Sequence, residues 1–566
     1  MSQDTRIPEP ITLANDAPEN PARRRLLGNV ALAGAAMALA SCVPGTESTR
    51  TRSTNAGELS ELDAVLRERI RNVVVIFCEN RSFNNLFADF PGLAQPLSGV
   101  APERLLQRDR DGSVLQNLPR IWTGLAKHAQ IVNGKTYQIG EDAITNLPNG
   151  PWQLRTPDGE ALPHGVITAS PIHVFYRNQM QINGGRNDMF AAWGNHGGLP
   201  MGYYATNADN FHLYTLAREF TLCDNFFMGA FGGSCLNHQY LVAARPPLYP
   251  DADNSPAKNH IAELEDGPTG YRLKLSERSP ASAMDGPPKF ASNASLSPDF
   301  YAVNTFGPPY SPSFNVDPRN PLLADSSKGY ILPPQTHLTI GDTLSAKGVD
   351  WAWYAGAWQM ALDGKGDKGL GAGYPDSPNF QPHHQPLNYF RQFAPGTPAR
   401  MQYLRDGGVG NLAASNRFIA DIVAGRLPQV AFYKPQGDLN MHAGYSDLAL
   451  GDNHIRHVID ALKESPQWAH TMVIITFDEN GGWWDHVAPP KADRWGPGTR
   501  VPALVISPWA KKGHVDHTIC DTGSIQRLLN RRFGLDPLPG IVLRDTAMRQ
   551  NSGIAPGDLT STLELA

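Results

Sequence analysis

The chain has few cysteines and few charged side chains. Of its 566 residues, 5 are cysteine, and Asp, Glu, Lys and Arg together make up 18%. The cysteines beyond residue 42 are irregularly spaced, which excludes a zinc-finger pattern and a disulfide-rich scaffold. One bridge could join Cys223 to Cys235, the nearest pair, although buried free thiols fit equally well. The formal net charge of −5 shows no basic excess, so we expect no nucleic-acid partner.

Several short catalytic signatures are also absent. The chain contains no HExxH, GxSxG or P-loop motif, so none of these competes as an explanation of its chemistry. A single GxGxxG occurs at residues 364–369, but it follows no clear strand and opens no helix. It therefore does not indicate dinucleotide binding.

The first 42 residues resemble an export signal and not part of a folded domain. The arginine pair that begins at Arg23 resembles a twin-arginine signal, and the Leu-Ala-Ser-Cys sequence ending at Cys42 resembles a bacterial lipobox. The uncharged residues 28–40 are too few to span a bilayer permanently. An ordinary signal peptide that happens to contain Cys42 is the alternative. We expect export to the periplasm or cell envelope with a lipid anchor at Cys42, followed by a tether and a leading helix at residues 43–70.

Strand and helix patterns alternate through most of the remaining chain. This alternation predicts an α/β fold in which helices flank a mainly parallel central sheet. The predicted strands cover residues 72–78, 350–354, 429–433, 472–476 and 501–507, and residues 220–227 are predicted as a strand or an extended segment. The predicted helices cover residues 62–70, 213–219, 416–423, 453–462 and 522–533. Residues 246–334 are rich in Pro, Ser, Asn and Asp without periodicity. They predict a loop-rich insertion or cap within a catalytic domain of residues 71–540, which a tail of residues 541–566 follows.

Acidic side chains directly follow two of the predicted buried strands. Glu79 and Asn80 follow the first, and Asp478 and Glu479 follow the strand within MVIITFDENGGWWDH at residues 472–486. The carboxyl ends of parallel strands line the ligand crevice of an open α/β sheet, so these side chains could form one site. Their oxygen ligands favour a divalent metal ion without choosing among magnesium, calcium, manganese, iron and zinc. A helix cap for the first pair and a simple turn for the second are the alternatives.

A serine and several histidines supply the remaining candidates for chemistry. Ser234 follows paired glycines and would present its hydroxyl at the amino end of a helix. A nucleophile activated by the metal and a plain helix cap both fit that position. Loop histidines near predicted strand ends could protonate a leaving alcohol or bind phosphate oxygens; these are His173, His384, His442 and His486. A loop histidine is also often structural or simply exposed.

Four segments together resemble one family. They are VVVIFCENRSF, the Gly-Ser-Cys-Leu-Asn segment around Ser234, TFDENGGWWDHVAPP and GTRVPALVISPWA. In this order they are similar to the phosphoesterase family that includes bacterial acid phosphatase A and the bacterial phospholipases C, relatives of the alkaline phosphatase superfamily. The resemblance covers residues 71–538, most of the chain.

The resemblance implies an alkaline-phosphatase-like α/β core with one bound metal ion. The residues that match the metal-binding positions are Glu79, Asn80, Asp478 and Glu479. Ser234 matches the nucleophile, and Asn237 matches an Asn three positions later. His173, His384 and His442 match histidines around the phosphate. We expect His486 to contact either a metal ligand or the phosphate, without a settled role. The segment before His442 departs from the family's Asp-Glu-His-Pro pattern.

The leading hypothesis is an exported, metal-dependent phosphoric ester hydrolase, most similar to an acid phosphatase, with a phosphoserine intermediate on Ser234. Protonated histidines would make its activity fall as pH rises. The alternative is a phospholipase C that hydrolyses phosphodiester head groups; such enzymes commonly carry β-rich domains after the core, whereas this chain ends soon after residue 538. A remote alternative is an inactive surface binding module, which commonly lacks the nucleophile or metal ligands that are present here. The sequence does not indicate the oligomeric state.

Overall fold

The core of the protein is an eight-stranded, mainly parallel sheet. The computed structural model describes residues 60–364 and 380–565. Numbered along the chain, the strands of this sheet are β1 (Asn72–Cys78), β2 (Thr221–Cys223), β3 (Trp351–Gly356), β4 (Leu404–Gly408), β5 (Val430–Lys434), β6 (Thr471–Phe477), β7 (Ala503–Ile506) and β8 (His514–Asp516). Their order across the sheet is β4-β3-β5-β1-β6-β7-β2-β8. Within the sheet, β7 runs antiparallel to both of its neighbours, β6 and β2, and the other pairings are parallel.

The two central strands β1 and β6 are buried on both faces. Every residue of β6 and all but the first residue of β1 are buried, as expected for apolar and β-branched runs without alternation. The two strands pair in register from Asn72 with Thr471 to Cys78 with Phe477. The residues that follow them therefore emerge side by side at one edge. The predicted α/β fold is confirmed, and the five predicted strands are present with small shifts at their ends. The segment predicted at residues 220–227 is divided into β2 and a separate strand, Phe226–Phe227, outside the main sheet.

Helices flank the sheet. They are α1 (Glu61–Arg69), α2 (Phe83–Phe87), α3 (Phe175–Ile182), α4 (Phe190–Trp193), α5 (His212–Glu219), α6 (Ser234–Ala243), α7 (Ile340–Ala346), α8 (Trp358–Leu362), α9 (Pro398–Tyr403), α10 (Arg417–Val423), α11 (Leu448–Glu464), α12 (Gly523–Phe533) and α13 (Pro539–Ser552). The predicted helices are confirmed, including the one that Ser234 begins. The helix α11 starts earlier than predicted because Asp447 caps it, accepting a hydrogen bond of 2.7 Å from the N–H of Leu450.

The insertion at residues 246–334 consists mostly of loops with two short hairpins. These hairpins pair Leu264–Gly267 with Gly270–Leu273, and Val316–Asp317 with Asn320–Ala324. Other short pairings lie elsewhere in the chain: Ala126–Val132 with Lys135–Ile139, Trp152–Gln153 with Gly202–Tyr203, and Phe226–Phe227 with Cys520–Asp521. The low periodicity of the insertion thus corresponds to an irregular, loop-rich segment.

The cysteines of the described residues are buried free thiols, and no disulfide joins them. Of the two alternatives left open by the sequence, the structure therefore supports free thiols. Within the described ranges, no helix is both long enough and apolar enough to cross a membrane. The first 42 residues, most of the tether and most of the GxGxxG segment lie outside the described residues.

Asp452 on α11 makes part of the stability of the fold depend on pH. Its buried carboxylate accepts hydrogen bonds from the N–H groups of His212 (2.6 Å) and Leu213 (2.9 Å), while burial raises its pKa to about 7. Because this folded-state pKa is above the ordinary value of about 4, the stabilisation is complete below about pH 4 and is lost as pH rises through the folded pKa. In urea unfolding, the free energy of unfolding should fall more steeply over this pH range in the wild type than in Asp452→Asn. Equal slopes would contradict the assignment.

Candidate functional site

The acids predicted from the sequence meet at the carboxyl edge of the sheet. Glu79 and Asn80 follow β1, Asp478 and Glu479 follow β6, and Lys434 is the last residue of β5. These three strands are neighbours in the order β5-β1-β6. All five side chains are fully buried. Such a concentration of buried charge is unusual unless the charges are paired or hold an ion.

Glu79 is ionised and has different partners at its two oxygens. Its Oε1 lies 2.7 Å from Nζ of Lys434 and 2.8 Å from Nε2 of His384. Its Oε2 accepts a hydrogen bond of 3.0 Å from Oγ of Ser234. Burial alone would raise the pKa of Glu79, but the Lys434 ammonium and the His384 ring outweigh burial and hold this pKa well below its ordinary value.

Asp478 and Glu479 are less well compensated. Oδ1 of Asp478 accepts hydrogen bonds from the N–H groups of Asn80 (3.1 Å) and Glu479 (2.8 Å), whereas its Oδ2 accepts none from the described residues. Glu479 accepts a hydrogen bond of 2.5 Å from the N–H of Gly481. Burial, together with the negative charge of Glu79, raises the pKa of both carboxyl groups well above the ordinary value. A cation beside them would lower both pKa values again.

Ser234 places its hydroxyl among the acids. Its Oγ lies 3.0 Å from Oε2 of Glu79, 3.3 Å from Oδ1 of Asn80 and 3.3 Å from Oε1 of Glu479. The residue is buried and begins α6, with Gly233 as the N-cap. Unpaired N–H groups at the start of a helix favour negative charge nearby.

Asn237 binds the loop that precedes Ser234 instead of facing the acids. Its Oδ1 accepts a hydrogen bond of 2.9 Å from the N–H of Ala230. Its Nδ2 donates towards the carbonyl oxygens of Ala230, Gly232 and Gly233 at 3.1 to 3.4 Å. Asn237, predicted as a catalytic residue, therefore does not contact the acids. Its hydrogen bonds fix the loop that positions Ser234.

Two of the predicted histidines face the amide of Asn80. Nδ2 of Asn80 lies 3.2 Å from Nε2 of His173 and 2.9 Å from Nε2 of His442. Nδ1 of each ring lies against a backbone carbonyl, that of Pro171 and that of Ala443 respectively, so each ring donates through Nδ1 and presents Nε2 as an acceptor. Burial lowers the pKa of His173 and lowers that of His442 to about 3. Burial and these contacts therefore favour the neutral form of both rings in the free site, whereas the sequence suggested protonated histidines.

Sequence reasoning missed two further histidines at this edge. His238 lies four residues after Ser234 on α6, and its Nδ1 is 3.6 Å from Oδ2 of Asp478. His383 precedes the predicted His384 and lines the cavity beside Ser234. The i to i+4 spacing from the serine was the available signal for His238, since such residues share a helix face. The adjacent histidines in one loop were the signal for His383.

The structure does not bring His486 to this cluster. Its Nδ1 lies 3.1 Å from Oδ1 of Asn84, and its Nε2 lies 3.1 Å from the carbonyl oxygen of Gln95. The preceding Asp485 forms a buried ion pair of 3.1 Å with Arg500, which anchors this part of the chain away from the acids. The predicted catalytic assignment of His486 is therefore corrected to a structural role.

Close packing of loops fixes the geometry of the site. Gly481 has a φ of 62°, and a Cβ at this position would lie 2.4 Å from the carbonyl oxygen of Asn80. Gly232 has a φ of 93°, and a Cβ there would lie 2.5 Å from the backbone nitrogen of Phe175. Any larger residue would push these loops apart, so glycine is required at both positions.

The donor set fits a divalent metal ion. Glu79, Asp478 and Glu479 contribute three buried carboxylates, and the buried ammonium of Lys434 contacts that of Glu79. A divalent cation would balance the remaining charge. Oδ2 of Asp478 is available as a ligand, and the ligand atoms of Glu79, His238 and Asp478 lie within 4.8 Å of one another. This donor set does not select one particular metal.

A cavity of about 270 Å³ opens onto Ser234. Its walls include His173 and His442, as well as Asn304 and Thr305 from the insertion. Part of the insertion therefore forms one wall of the cavity. A cap over the site, as predicted for residues 246–334, would occupy such a position. Ligand sites typically combine such a concave shape with a few convergent polar groups.

Comparisons with known proteins point to one family. A model described as the Phosphoesterase family matches residues 70–536. The chain is 29% identical over 241 residues to the non-hemolytic phospholipase C of Pseudomonas aeruginosa. This alignment covers 37% of this chain and 31% of that protein. It is also 26% identical over 467 residues to phospholipase C A of Mycobacterium tuberculosis, and this alignment covers 76% of this chain and 71% of that protein. The chain thus spans about a third of the length of the Pseudomonas relative.

Similar solved structures are more distant. A protein in the alkaline phosphatase superfamily from Vibrio parahaemolyticus is 15% identical with a TM-score of 0.24, over 38% of this chain and 51% of that one. The sulfatase PsFucS1 from Pseudoalteromonas is 13% identical with a TM-score of 0.26, over 60% of this chain and 68% of that one. Similarities of this size do not bear on the site.

Proposed function

We propose, given that this chain belongs to the phosphoesterase family, that it hydrolyses phosphoric esters with Ser234 as the nucleophile at a metal centre. The observation that carries the proposal is the position of the serine hydroxyl, buried at the start of α6 and 3.0 Å from Glu79. A serine that served only as a helix cap would occupy the N-cap position, but Gly233 occupies it. The hydroxyl is therefore free for chemistry at the acidic cluster.

We further propose a phosphodiester of the phospholipid type as the substrate, in place of the phosphomonoester expected from the sequence. The relatives named above are phospholipases C, and one alignment covers 71% of its relative. The length of the chain therefore does not favour an acid phosphatase over a phospholipase C, in contrast to what the sequence alone suggested. A phosphomonoester is the second candidate, because the same serine and acids could act on either ester.

In the proposed reaction, Ser234 attacks phosphorus in line with the leaving alcohol. The bond between Oγ and phosphorus forms while the bond between phosphorus and the alcohol oxygen breaks. The Oγ proton passes to a base of the cluster, and a histidine protonated in this way returns it to the leaving alkoxide. Water then gives a proton to a base of the cluster and forms a bond to phosphorus while the bond between Oγ and phosphorus breaks. The proton passes to Oγ, which restores the hydroxyl and releases the phosphorylated product.

The surrounding residues prepare these steps. Glu79 and Glu479 orient the serine hydroxyl, and Asn80 holds the Nε2 atoms of His173 and His442 as proton acceptors. A divalent ion, when bound, would lower the pKa of the serine hydroxyl and stabilise negative charge on the phosphoryl oxygens. An anionic substrate raises the pKa of nearby histidines, which favours proton uptake by the rings during the reaction.

A comparison of two substrates tests the proposed class. The value of kcat/KM for a phosphocholine diester should exceed that for a simple phosphomonoester by roughly tenfold or more, because the cavity must distinguish an esterified from a free phosphate oxygen. Ser234→Ala is the control, since it should lose both activities if one site performs both. A higher kcat/KM for the monoester would instead identify a phosphatase.

We also propose that residues 1–42 direct export and that Cys42 carries a lipid anchor. These proposals rest on the twin arginines and the Leu-Ala-Ser-Cys sequence. An anchored enzyme of the periplasm or cell envelope would lie beside membrane phospholipids. Labelling with a lipid precursor should be lost in Cys42→Ser, and retained labelling would contradict the anchor.

A further inference from the structure

Lys434 is a fully buried lysine at the carboxyl end of β5. Its Nζ lies 2.7 Å from Oε1 of Glu79 and 5.5 Å from the centre of the Phe77 ring. Lysine is rarely fully buried unless its charge is paired. Neither the family match nor the relatives assign a role to this residue, and the proposed reaction steps do not use it.

Two groups of side chains around Glu79 could each hold a cation. One group consists of Glu79, His383 and His384, and the other consists of Glu79, His238 and Asp478. The ligand atoms of each group lie within 4.8 Å of one another. Because both groups use the same carboxylate, the partners of its two oxygens determine which group is open to a metal ion.

The two oxygens of Glu79 have different partners. Oε1 lies 2.8 Å from Nε2 of His384, on the side of the first group, and the ammonium of Lys434 contacts this same oxygen. Oε2 accepts the hydrogen bond from Ser234, which also contacts Glu479. The lysine therefore shares Oε1 of Glu79 with His384 of the first group, whereas the serine binds the other oxygen of Glu79.

We propose that the ammonium group of Lys434 occupies the first of these two cation positions, so that it excludes a metal ion from the Glu79–His383–His384 group. A divalent ion at that position would meet a fixed positive charge in a buried site, where charges are weakly screened. In the other group, Oδ2 of Asp478 accepts no hydrogen bond from the described residues, so this carboxylate is open to a cation. This inference rests on the metal centre of the proposed function. It assigns to Lys434 the role of limiting that centre to one metal ion.

The number of bound metal ions tests this role without any assay of activity. The full chain would be stripped with a chelator, dialysed against excess Zn²⁺, freed of loosely bound ions and analysed for zinc per chain. Zinc is a suitable probe because it accepts both histidine and carboxylate ligands. The wild type should bind one ion, and Lys434→Met should bind a second because the Glu79–His384 side is then open.

Two further variants make the result specific. Lys434→Arg retains the positive charge and should bind one ion like the wild type. The double variant Lys434→Met/His383→Ala removes a ligand of the opened group and should return the count to one. Two ions in the wild type or in Lys434→Arg would overturn the proposal, as would an unchanged count in folded Lys434→Met.

The outcome also separates this inference from the proposed function. A wild type that binds no ion would overturn the metal centre itself, whereas a wild type with two ions would overturn only the role of Lys434. Circular dichroism establishes that each variant is folded. If Lys434→Met does not fold, the counts for the wild type and Lys434→Arg decide, since one ion in both supports the proposal and two in either overturns it.

Discussion

Ser234→Ala is expected to reduce kcat for phosphoric ester hydrolysis by roughly 10⁴- to 10⁶-fold, the range seen when a member of a catalytic unit is removed. The reason is that Oγ of Ser234 is the atom that forms the bond to phosphorus in the proposed reaction. Oγ contacts Glu79, Asn80 and Glu479. Among the described residues, no other hydroxyl group makes a hydrogen bond to these three side chains. Steady-state kinetics with the preferred ester measure the effect.

Ser507→Ala is the matched control for this variant. Ser507 is also fully buried, and its Oγ donates a hydrogen bond of 2.8 Å to the carbonyl oxygen of Thr471. Thr471 begins β6, so this serine lies at the opposite edge of the sheet from the acids. Ser507→Ala should keep its kcat. Full activity in Ser234→Ala would end the covalent mechanism.

Asp478→Asn is expected to lose the metal ion together with activity. The change removes one negative charge from the cluster and replaces the oxygen that accepts no hydrogen bond from the described residues. Mutation of outer-shell partners commonly costs about 10- to 100-fold in metal affinity, and loss of a direct ligand should cost at least the upper value. Metal content after dialysis and kcat of the same preparation measure both effects.

Asp452→Asn is the control for the loss of a buried carboxylate. Asp452 is buried like Asp478, but it contacts the backbone of α5 and not the acidic cluster. This variant should keep its metal content and its kcat. Retained metal and activity in Asp478→Asn would contradict the assignment of Asp478 as a ligand.

The acids at the strand ends could be predicted because local sequence determines them. The apolar runs of β1 and β6 indicate strands buried on both faces. Glu79 and Asp478 follow these runs directly, and parallel strands end at the same edge of a sheet. The pairing of Cys78 with Phe477 then brings the two acids together. Ser234 was predictable for a similar reason, since paired glycines mark the tight turn before its helix.

The role of Lys434 could not be predicted from its neighbours in the sequence. A lysine at the end of a strand is usually exposed, and its burial here depends on the charge of Glu79, which follows the neighbouring strand β1. The catalytic role predicted for His486 was wrong because this residue is close to Asp478 in sequence but does not contact the acidic cluster in the structure. The chain turns at Gly481, and the ion pair between Asp485 and Arg500 holds the histidine in a structural environment.

The stereochemical course at phosphorus tests the central claim most directly. A chiral phosphorothioate diester would be hydrolysed in isotopically labelled water, and the configuration of the product would be determined. Each in-line displacement inverts phosphorus, so attack by Ser234 followed by attack of water predicts overall retention. Inversion would mean that water attacks the substrate directly, and it would contradict Ser234 as the nucleophile.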